Sequence, residues 1–189
     1  NQADCIIGAK RMLNAVEQVL DTEKPMVSMY LSQQIVEYIH SHEEYGNIVI
    51  ALSGDVGFYS GARKLLTALG GRESNVDVIC GISSVVYFMS EIGLSWDDAK
   101  ITSAHGKHCN LISMIRHNQK VFSILGTGTA VAELAGKLVK YHMGEVLLYV
   151  GENLSYPDEK IFVKKAEELT NYEGQPLSVV CAFHENPEP

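Results

Sequence analysis

Short runs of apolar residues recur along the chain, and segments with helical periodicity separate them. Most runs are continuous rather than alternating, which is typical of strands covered on both faces. They lie at residues 5–7, 48–52, 76–80, 121–125, 146–150 and 177–183. The intervening segments have apolar stripes at helical spacing, containing Leu31, Ile35 and Ile39, then Ala62, Leu65, Leu66 and Leu69, then Val131, Leu134, Ala135, Leu138 and Val139. This alternation of strands and helices predicts an α/β fold with mainly parallel sheets.

Composition and charge narrow the range of functions. The 189 residues are 46% hydrophobic and 20% charged, as in ordinary globular proteins. A formal net charge of −8 argues against a general nucleic-acid or membrane-surface protein, since both attract a basic face. The four cysteines lie far apart without a CxxC pair, so we expect reduced thiols in a cytoplasmic protein. Because no apolar stretch has membrane-spanning length, we expect no membrane span.

Two predicted strands end in turns that are rich in small residues. The run at residues 48–52 is followed by Ser53-Gly54-Asp55, and the run at residues 76–80 by Gly81-Ile82-Ser83-Ser84. Glycine allows a close backbone approach, and serines at a helix start offer hydroxyls and free amides. Ligands of open parallel sheets bind beyond the carboxyl ends of the strands. The two turns therefore predict a ligand cleft, and the alternative is that each is a plain turn with a helix cap.

Other motifs favour structural interpretations. The chain has no G-x-x-x-x-G-K-[ST] loop, and Gly126-Thr127-Gly128 lacks the third glycine of a dinucleotide motif, so we predict a strand-to-helix turn capped by Thr127 or Thr129. His105 and His108 have metal-ligand spacing, but no third ligand is placed convincingly, and we favour hinge residues without a bound metal. Residues 151–158 are interpreted as a surface loop.

Several longer stretches together resemble one family. "SGDVGFYSGARKLL", "CGISSVVYFMSEIGLSWDDAKITSAHGK" and "VGENLSYPDEKI" are similar to the tetrapyrrole methylases of cobalamin biosynthesis. "IIGAKRML" and "LGTGTAVAELAGKLV" fit the same family in order and spacing, with the precorrin carbon-5 methyltransferase branch as the best match. The resemblance covers nearly the whole chain, and the long middle stretch is the most specific part.

The resemblance implies two α/β domains around a deep cleft, S-adenosylmethionine as the cofactor and a homodimer. We place the domains at residues 1–108 and 109–189, with a hinge at residues 105–110. Family members begin with a strand and a glycine-proline-glycine loop, and this chain begins after that segment, so we expect residues upstream. The implied cofactor contacts are Ser53, Gly54, Asp55, Val56, Ser83, Ser84, Leu125 and Leu177.

The implied reaction is methyl transfer to carbon 5 of a corrinoid precursor, with a separate carbon-15 methyltransferase and decarboxylase as a possible partner. Because such a substrate carries many carboxylates, Arg11 and Lys107 are candidate substrate contacts. Tyr59 and His105 are candidates for ring contact or proton acceptance. Two alternatives stay open: another enzyme of the same fold, acting at a different ring carbon or as a diphthine synthase, and a non-catalytic module that binds the cofactor or a corrinoid.

Overall fold

The computed structural model describes residues 2–71, 75–104 and 109–188. Its backbone contacts divide the chain into two compact units, Asn1–Ser83 and Ser84–Pro189. The domain boundary that we predict at residue 108 falls on residues 105–108, outside the described ranges, and stays a prediction. Each unit is an α/β structure, so the predicted fold class is confirmed.

In the described part of the first unit, three parallel strands form one sheet in the order β2-β1-β3. The central strand pairs Ile6 with Met26 on one side and with Val49 on the other. All four residues of the central strand are buried because it has neighbours on both sides. The elements are β1 (Cys5–Gly8), α1 (Lys10–Glu17), β2 (Met26–Ser28), α2 (Ser32–Ser41), β3 (Ile48–Ala51) and α3 (Ala62–Ala68).

Helices cover both faces of this sheet. Cys5 and Ile7 pack with Ile35 of α2 and Leu65 of α3. Ile6 points to the other face, since neighbouring strand residues alternate, and packs near Leu13 of α1. Burying a large aliphatic side chain completely stabilises a fold by roughly 1.5–3 kcal/mol, so the short β1 strand contributes much of the stability of this unit.

The strand predicted at residues 76–80 is not formed. Residues 75–80 belong to no helix or strand and are exposed, with Val78 52% and Ile79 86% accessible. A strand needs a neighbour to satisfy its backbone groups. Among the described residues, the ladder pairs of this sheet join β1 with β2 and with β3, and none involves residues 75–80. The prediction of a strand here is therefore wrong, although the chain has the composition of one.

In the described part of the second unit, five strands form a sheet in the order β4-β5-β8-β6-β7. The β4–β5 pair is parallel, whereas β8 is antiparallel to β5 and β6, and β7 is antiparallel to β6. The β6–β7 connection at residues 153–159 is too short for a parallel crossover and makes a hairpin. The elements are α4 (Ser84–Glu91), β4 (Lys100–Ser103), α5 (Leu111–His117), β5 (Lys120–Ile124), α6 (Ala130–Lys140), β6 (Leu147–Glu152), β7 (Lys160–Lys165), a 3₁₀ helix (Ala166–Leu169) and β8 (Ser178–Phe183).

Helices also cover both faces of the second sheet. Helices α5 and α6 share a core with Val121, Leu148 and Val180 of the central strands. Helix α4 packs on the other face, where the Phe88 ring lies 6.2 Å from the Phe122 ring. Both rings are fully buried. Strands β5 and β6 are therefore covered by helices on both faces of the sheet. Both are antiparallel to β8, so their carboxyl ends lie at the same end of the sheet.

Candidate functional site

The loop after β3 is a tight turn that its own aspartate organises. Gly54 has φ of +66°, the left-handed region that favours glycine. The Asp55 carboxylate accepts a hydrogen bond from the Gly57 N–H at 2.6 Å. Ser53 and Gly54 are exposed, and Asp55 and Val56 are half-buried. The other oxygen of the Asp55 carboxylate, Oδ2, has no partner among the described residues, so the loop presents backbone groups and one available carboxylate oxygen.

The second predicted loop lies directly against the first. A Cβ atom added at Gly81 would come 2.5 Å from the Gly54 carbonyl oxygen and 3.1 Å from its carbon. Such contacts do not occur in proteins, so only glycine allows this approach. Ser83, two residues further on, is 8% exposed. The structure therefore brings the 53–56 loop and residues 81–83 together within the first unit.

Tyr59 has an unusual backbone for an aromatic residue. Its φ is +49°, in the left-handed region that costs a side chain with Cβ roughly 1–2 kcal/mol. Its ring is 49% exposed and meets the Phe58 ring edge-on, with the ring centroids 5.0 Å apart. Residues in strained conformations often cluster at functional sites, and Tyr59 stays a candidate contact.

Arg11 lies at the carboxyl end of β1, as the second residue of α1. Its side chain is exposed. His105 and Lys107 fall outside the described residues, so the structure places only one of the two predicted substrate contacts.

The carboxyl end of the second sheet aligns three side chains in a row across β5, β8 and β6. The Leu125 N–H donates to the Ser178 carbonyl at 2.9 Å, and Ser178 is paired with Glu152 in the ladder. All three residues are buried, at 3%, 3% and 2% exposure. Of the predicted cofactor contacts in the second unit, Leu177 is adjacent to this row and 44% exposed, whereas Ser84 is the first residue of α4.

Glu152 belongs to a polar network that the sequence did not predict. Its carboxylate accepts hydrogen bonds from the Tyr172 hydroxyl and from the Gln175 N–H, both at 2.9 Å. The Lys160 ammonium donates to the same tyrosine oxygen at 2.9 Å and lies over the Tyr172 ring. Burial raises the pKa of Tyr172, and its hydrogen bond raises the pKa of Lys160. The tyrosine is therefore neutral and the lysine charged at neutral pH.

The predicted surface loop at residues 151–158 is confirmed for residues 153–158, which connect β6 to β7. It is wrong for Gly151 and Glu152, which are buried and end β6. The available signal was an acidic residue placed directly after a buried apolar run, since a buried carboxylate needs several hydrogen-bond donors.

Glycines also join the loops beside the row. The Gly174 N–H donates to the Gly128 carbonyl at 3.0 Å. A Cβ atom at Gly128 would lie 2.8 Å from the Gly174 oxygen, and one at Gly174 would lie 2.7 Å from the Glu152 Oε1 atom. The loop after β5 and the loop before β8 therefore meet by backbone, next to the buried carboxylate.

The turn between β5 and α6 is the predicted strand-to-helix connection. Thr129 is the N-cap residue of α6, but its hydroxyl donates to the Glu133 side chain at 2.6 Å instead of capping the helix backbone. Helix α5 has a side-chain cap, since the Asn110 side chain accepts from the Ser113 N–H at 3.1 Å.

A groove of about 880 Å³ runs between α5 and α6. At one end it reaches Leu125, Gly126 and Thr127, and at the other it meets basic residues in the last turns of both helices. Basic residues at helix C-termini stabilise the helix dipole, so their presence there needs no ligand. The row of Leu125, Ser178 and Glu152 nevertheless borders this groove at Leu125.

Two features are absent from the described residues. In residues 2–71, 75–104 and 109–188, no three histidine, cysteine or acidic side chains are grouped as a metal site. Within the same ranges, none of the helices has the length and hydrophobicity that crossing a bilayer requires.

Comparison with known proteins gives matches over most of the chain. The model of the tetrapyrrole (corrin/porphyrin) methylase family matches residues 1–170. A probable cobalt-precorrin-7 C(5)-methyltransferase of Methanocaldococcus jannaschii is 27% identical, over 98% of this chain and 88% of the relative. The cobalt-precorrin-7 C(5)-methyltransferase of Salmonella typhimurium is 29% identical, over 85% of this chain and 77% of the relative.

Solved structures share the fold at lower sequence identity. A cobalt precorrin-4 methyltransferase superposes with a TM-score of 0.76 at 15% identity, covering 96% of this chain and 84% of its own. A uroporphyrin-III C-methyltransferase from Thermus thermophilus, complexed with S-adenosyl homocysteine, gives 0.72 at 15% identity, with coverages of 97% and 86%. A precorrin-6Y methylase from Archaeoglobus fulgidus gives 0.67 at 17% identity, with coverages of 98% and 87%.

Proposed function

This chain belongs to the tetrapyrrole methylase family, and we propose that it transfers a methyl group from S-adenosylmethionine to carbon 5 of cobalt-precorrin-7 in cobalamin biosynthesis. One observation carries the proposal: two relatives named for this reaction match 85–98% of the chain at 27–29% identity. The solved structures include enzymes named for other tetrapyrrole substrates at equal or higher TM-scores. The fold therefore supports the family, and the sequence relatives support the position on the ring.

The geometry of the first unit supports the proposal of a cofactor site there. Gly54 and Gly81 bring two loop backbones together in a space that a Cβ atom would fill. Peptide groups and the available Asp55 oxygen match the amino and hydroxyl groups of S-adenosylmethionine. We propose that residues 53–56 and Ser83 hold the cofactor, and Ser84, Leu125 and Leu177 stay proposed cofactor contacts on the ground of the family resemblance.

The chain's part in the reaction is positioning. When bound, S-adenosylmethionine supplies a methyl group that its sulfonium already activates. The residues around it therefore orient the ring carbon, exclude water and accept a proton afterwards. Orientation of this kind lowers reaction barriers by roughly 7–11 kcal/mol in favourable cases. Tyr59 and His105 are the proposed candidates for ring contact or proton acceptance.

Substrate recognition requires positive charge in an acidic protein. The chain has a net charge of −8, and a corrinoid precursor carries many carboxylates. We propose that Arg11, exposed at the carboxyl end of β1, and Lys107 bind these carboxylates. The family resemblance further suggests a homodimer in the cytoplasm and a separate carbon-15 methyltransferase and decarboxylase; light scattering of the purified protein would measure the oligomeric state.

The test is turnover with defined product chemistry. The purified protein, carrying whatever residues its gene encodes upstream, is incubated with cobalt-precorrin-7 and S-adenosylmethionine labelled with ¹³C in the methyl group. We expect the label on carbon 5 by nuclear magnetic resonance. A label on another ring carbon would assign the protein to a different methylase. Binding of S-adenosylhomocysteine without turnover of any corrinoid would favour the non-catalytic alternative.

A matched variant tests the cofactor loop. Valine at Gly54 would require a branched residue at φ +66°, with its Cβ 3.5 Å from the Ile82 carbonyl oxygen. We expect Gly54→Val to remain folded, because the loop is exposed, and to lose binding of S-adenosylhomocysteine. Normal affinity in the folded variant would show that this loop is not the cofactor site.

A further inference from the structure

The groove between α5 and α6 has a basic end to which the proposed reaction assigns no role. Four basic side chains line this end, namely Arg116 and His117 of α5 and Lys137 and Lys140 of α6. Among the described residues that line the groove, Glu133 is the only acidic one. The chain as a whole has a net charge of −8, so the groove concentrates positive charge against the overall balance. A groove of this kind attracts anionic ligands.

Compensation of the helix dipole accounts for such residues on any one helix, but not for their distribution. Lysine or arginine occupies the last turns of α5 and α6. The last turns of α1, α3 and α4 have no basic residue, and that of α2 has only His40. Every α-helix has a dipole, so compensation alone would favour basic residues at all of these ends. Among the described α-helices, the two with this feature are the two that line the groove.

The charges at the basic end are available to a ligand. Lys137 and Lys140 are exposed, and their side chains make no hydrogen bond or ion pair with the described residues. The Arg116 guanidinium lies 3.9 Å from the Glu188 carboxylate and 5.9 Å from the centre of the Tyr141 ring. Exposed ion pairs contribute little stability, so the guanidinium can exchange this carboxylate for that of a ligand.

The remainder of the groove has a large apolar surface. Leu111, Leu134 and the half-buried Ile112 line it between the two helices. Helix α6 rises roughly 16 Å from Ala130 to Tyr141, which sets the length of the groove. The volume of about 880 Å³ is near the upper limit for small-molecule pockets, which extend to roughly 1,000 Å³. A ligand that fills the groove therefore has a large apolar body and negative charge at one end.

We propose that this groove is a second binding site for a tetrapyrrole polycarboxylate, in addition to the site of methyl transfer. The choice of ligand rests on the proposed function, because a corrinoid combines a broad apolar ring with several carboxylate arms. The ring lies against Ile112 and Leu134, and the arms pair with Arg116, Lys137 and Lys140. A small polycarboxylate without a ring would use only the basic end and leave the apolar surface in water, which the hydrophobic effect disfavours.

Nuclear magnetic resonance of methyl groups locates the ligand, because a porphyrin ring shifts the signals of the methyl groups that it contacts. The purified protein, labelled with ¹³C in its isoleucine and leucine methyl groups, is titrated with uroporphyrin III. We expect the Ile112 signals, assigned through Ile112→Val, to shift progressively with porphyrin concentration. A double variant with Lys137→Gln and Lys140→Gln should bind about fivefold more weakly by the same signals, as loss of two exposed charge pairs implies.

A second double variant, with Lys100→Gln and Lys164→Gln, is the matched control. It removes the same charge from two exposed lysines of the same unit that do not line the groove. This control should keep the wild-type affinity for uroporphyrin III. Added salt should weaken porphyrin binding to wild type more than to the groove variant, since exposed charge pairs are screened. Both double variants should keep the wild-type Kd for S-adenosylhomocysteine.

The outcomes separate the two proposals. If uroporphyrin III leaves the Ile112 signals in place, or if the two double variants bind it equally well, the groove site is refuted while the proposed function stands. Complete displacement of the porphyrin by an equal concentration of citrate would also refute the site, because charge alone would then be sufficient. A wild type that shows the Ile112 shift but transfers no methyl group to cobalt-precorrin-7 would overturn the proposed function and the choice of a corrinoid, but not the groove as a site for ring polycarboxylates.

Discussion

The contact between Gly54 and Gly81 allows a sharp test, because one methyl group should disturb it. Alanine at position 81 would place Cβ 2.5 Å from the Gly54 carbonyl oxygen. Ordinary van der Waals contact begins at 3.4 Å, so the two backbones must separate by about 0.9 Å. The atoms in conflict belong to the main chain, and no side-chain rotation can relieve the overlap. The φ angle of Gly81 is not in the left-handed region, so the effect of Gly81→Ala is steric.

The size of the effect follows from where the contact lies. Inserting a methyl group into a packed core typically costs about 1–3 kcal/mol. Gly54 and Gly81 are both in exposed loops, which yield more easily, and we expect about 1 kcal/mol. The change in cofactor affinity should be larger than that in stability, since the displaced peptide groups are the ones proposed to bind. A tenfold weakening, about 1.4 kcal/mol, is the expected minimum.

Calorimetry with S-adenosylhomocysteine and thermal melting measure the two effects separately. Gly61→Ala is the control, because a Cβ atom there meets nothing within 4 Å and Gly61 lies in the same unit. This variant should keep wild-type affinity and stability. Wild-type values of both quantities in Gly81→Ala would refute the close approach of the loops. Reduced stability with unchanged affinity would retain the approach and remove its link to the cofactor.

Three further predictions concern the second unit. Burial raises the pKa of the Cys181 thiol from 9.0 to about 12, so the thiol loses its proton at lower pH in the unfolded state than in the folded state. The free energy of unfolding should therefore fall by about 1.4 kcal/mol per pH unit between those values, and Cys181→Ala should flatten this part of a urea-unfolding pH series. The Lys120 ammonium, 8% exposed, donates to the Asp98 carboxylate at 2.6 Å and to the Ser95 carbonyl at 2.9 Å. Asp98→Ala leaves this buried charge with the carbonyl alone and should cost about 2 kcal/mol, more than Lys120→Met at about 1 kcal/mol; equal costs in urea unfolding would contradict this account. A Cβ atom at Gly151 would lie 2.7 Å from the Phe88 ring, so Gly151→Ala should lower the free energy of unfolding by about 1–3 kcal/mol. In a double-mutant cycle, Phe88→Leu should relieve part of that loss.

The sequence predicted the buried elements of the fold and missed the exposed ones. The largely buried strands β1, β5, β6 and β8 lie close to predicted apolar runs, because a strand covered on both faces is apolar throughout. The half-buried strand β3 also matches a predicted run, since its sequence IVIA is apolar throughout. The edge strand β7 has the sequence KIFVKK and is largely exposed, so its charges conceal it. Strand β2 has only three residues, and β4 (KITS) contains a single large apolar residue, so neither forms an apolar run.

The prediction of a strand at residues 76–80 is wrong for the opposite reason. They have the composition of a strand, but strand formation depends on a neighbouring strand, and local composition does not encode one. The same limit applies to the candidate site. Small residues after β3 and before α4 could be recognised as loops, whereas the contact of Gly54 with Gly81 joins positions 27 residues apart and needed coordinates.

Glu152 and Ser178 show what local sequence conceals at a site. Glu152 stands at the end of a strand beside polar and turn-forming residues and looks like the start of a surface loop, whereas Ser178 lies inside the predicted apolar run at residues 177–183 and gives no sign of its surroundings. Strand pairing buries both, and only then does the contrast between them appear, since Glu152 has its donors and Ser178 has none. Satisfaction of a buried polar group is a property of the three-dimensional surroundings, and no periodicity in the sequence reports it.

The proposed site is built largely from backbone, which is consistent with a fold that persists while sequences diverge. Relatives in fold superpose with TM-scores of 0.67–0.76 at only 15–17% identity. If the cofactor is held by peptide groups at the Gly54 and Gly81 loops, most positions can change as long as these glycines preserve the approach. A methyl donor that is already activated adds to this freedom, because positioning can supply much of the rate without a nucleophilic dyad. Specificity for a ring carbon then depends on the few side chains that orient the substrate. Substitutions at Arg11 and Lys107 should therefore change the KM for the corrinoid much more than the Kd for S-adenosylhomocysteine. The reverse pattern would place these residues at the cofactor.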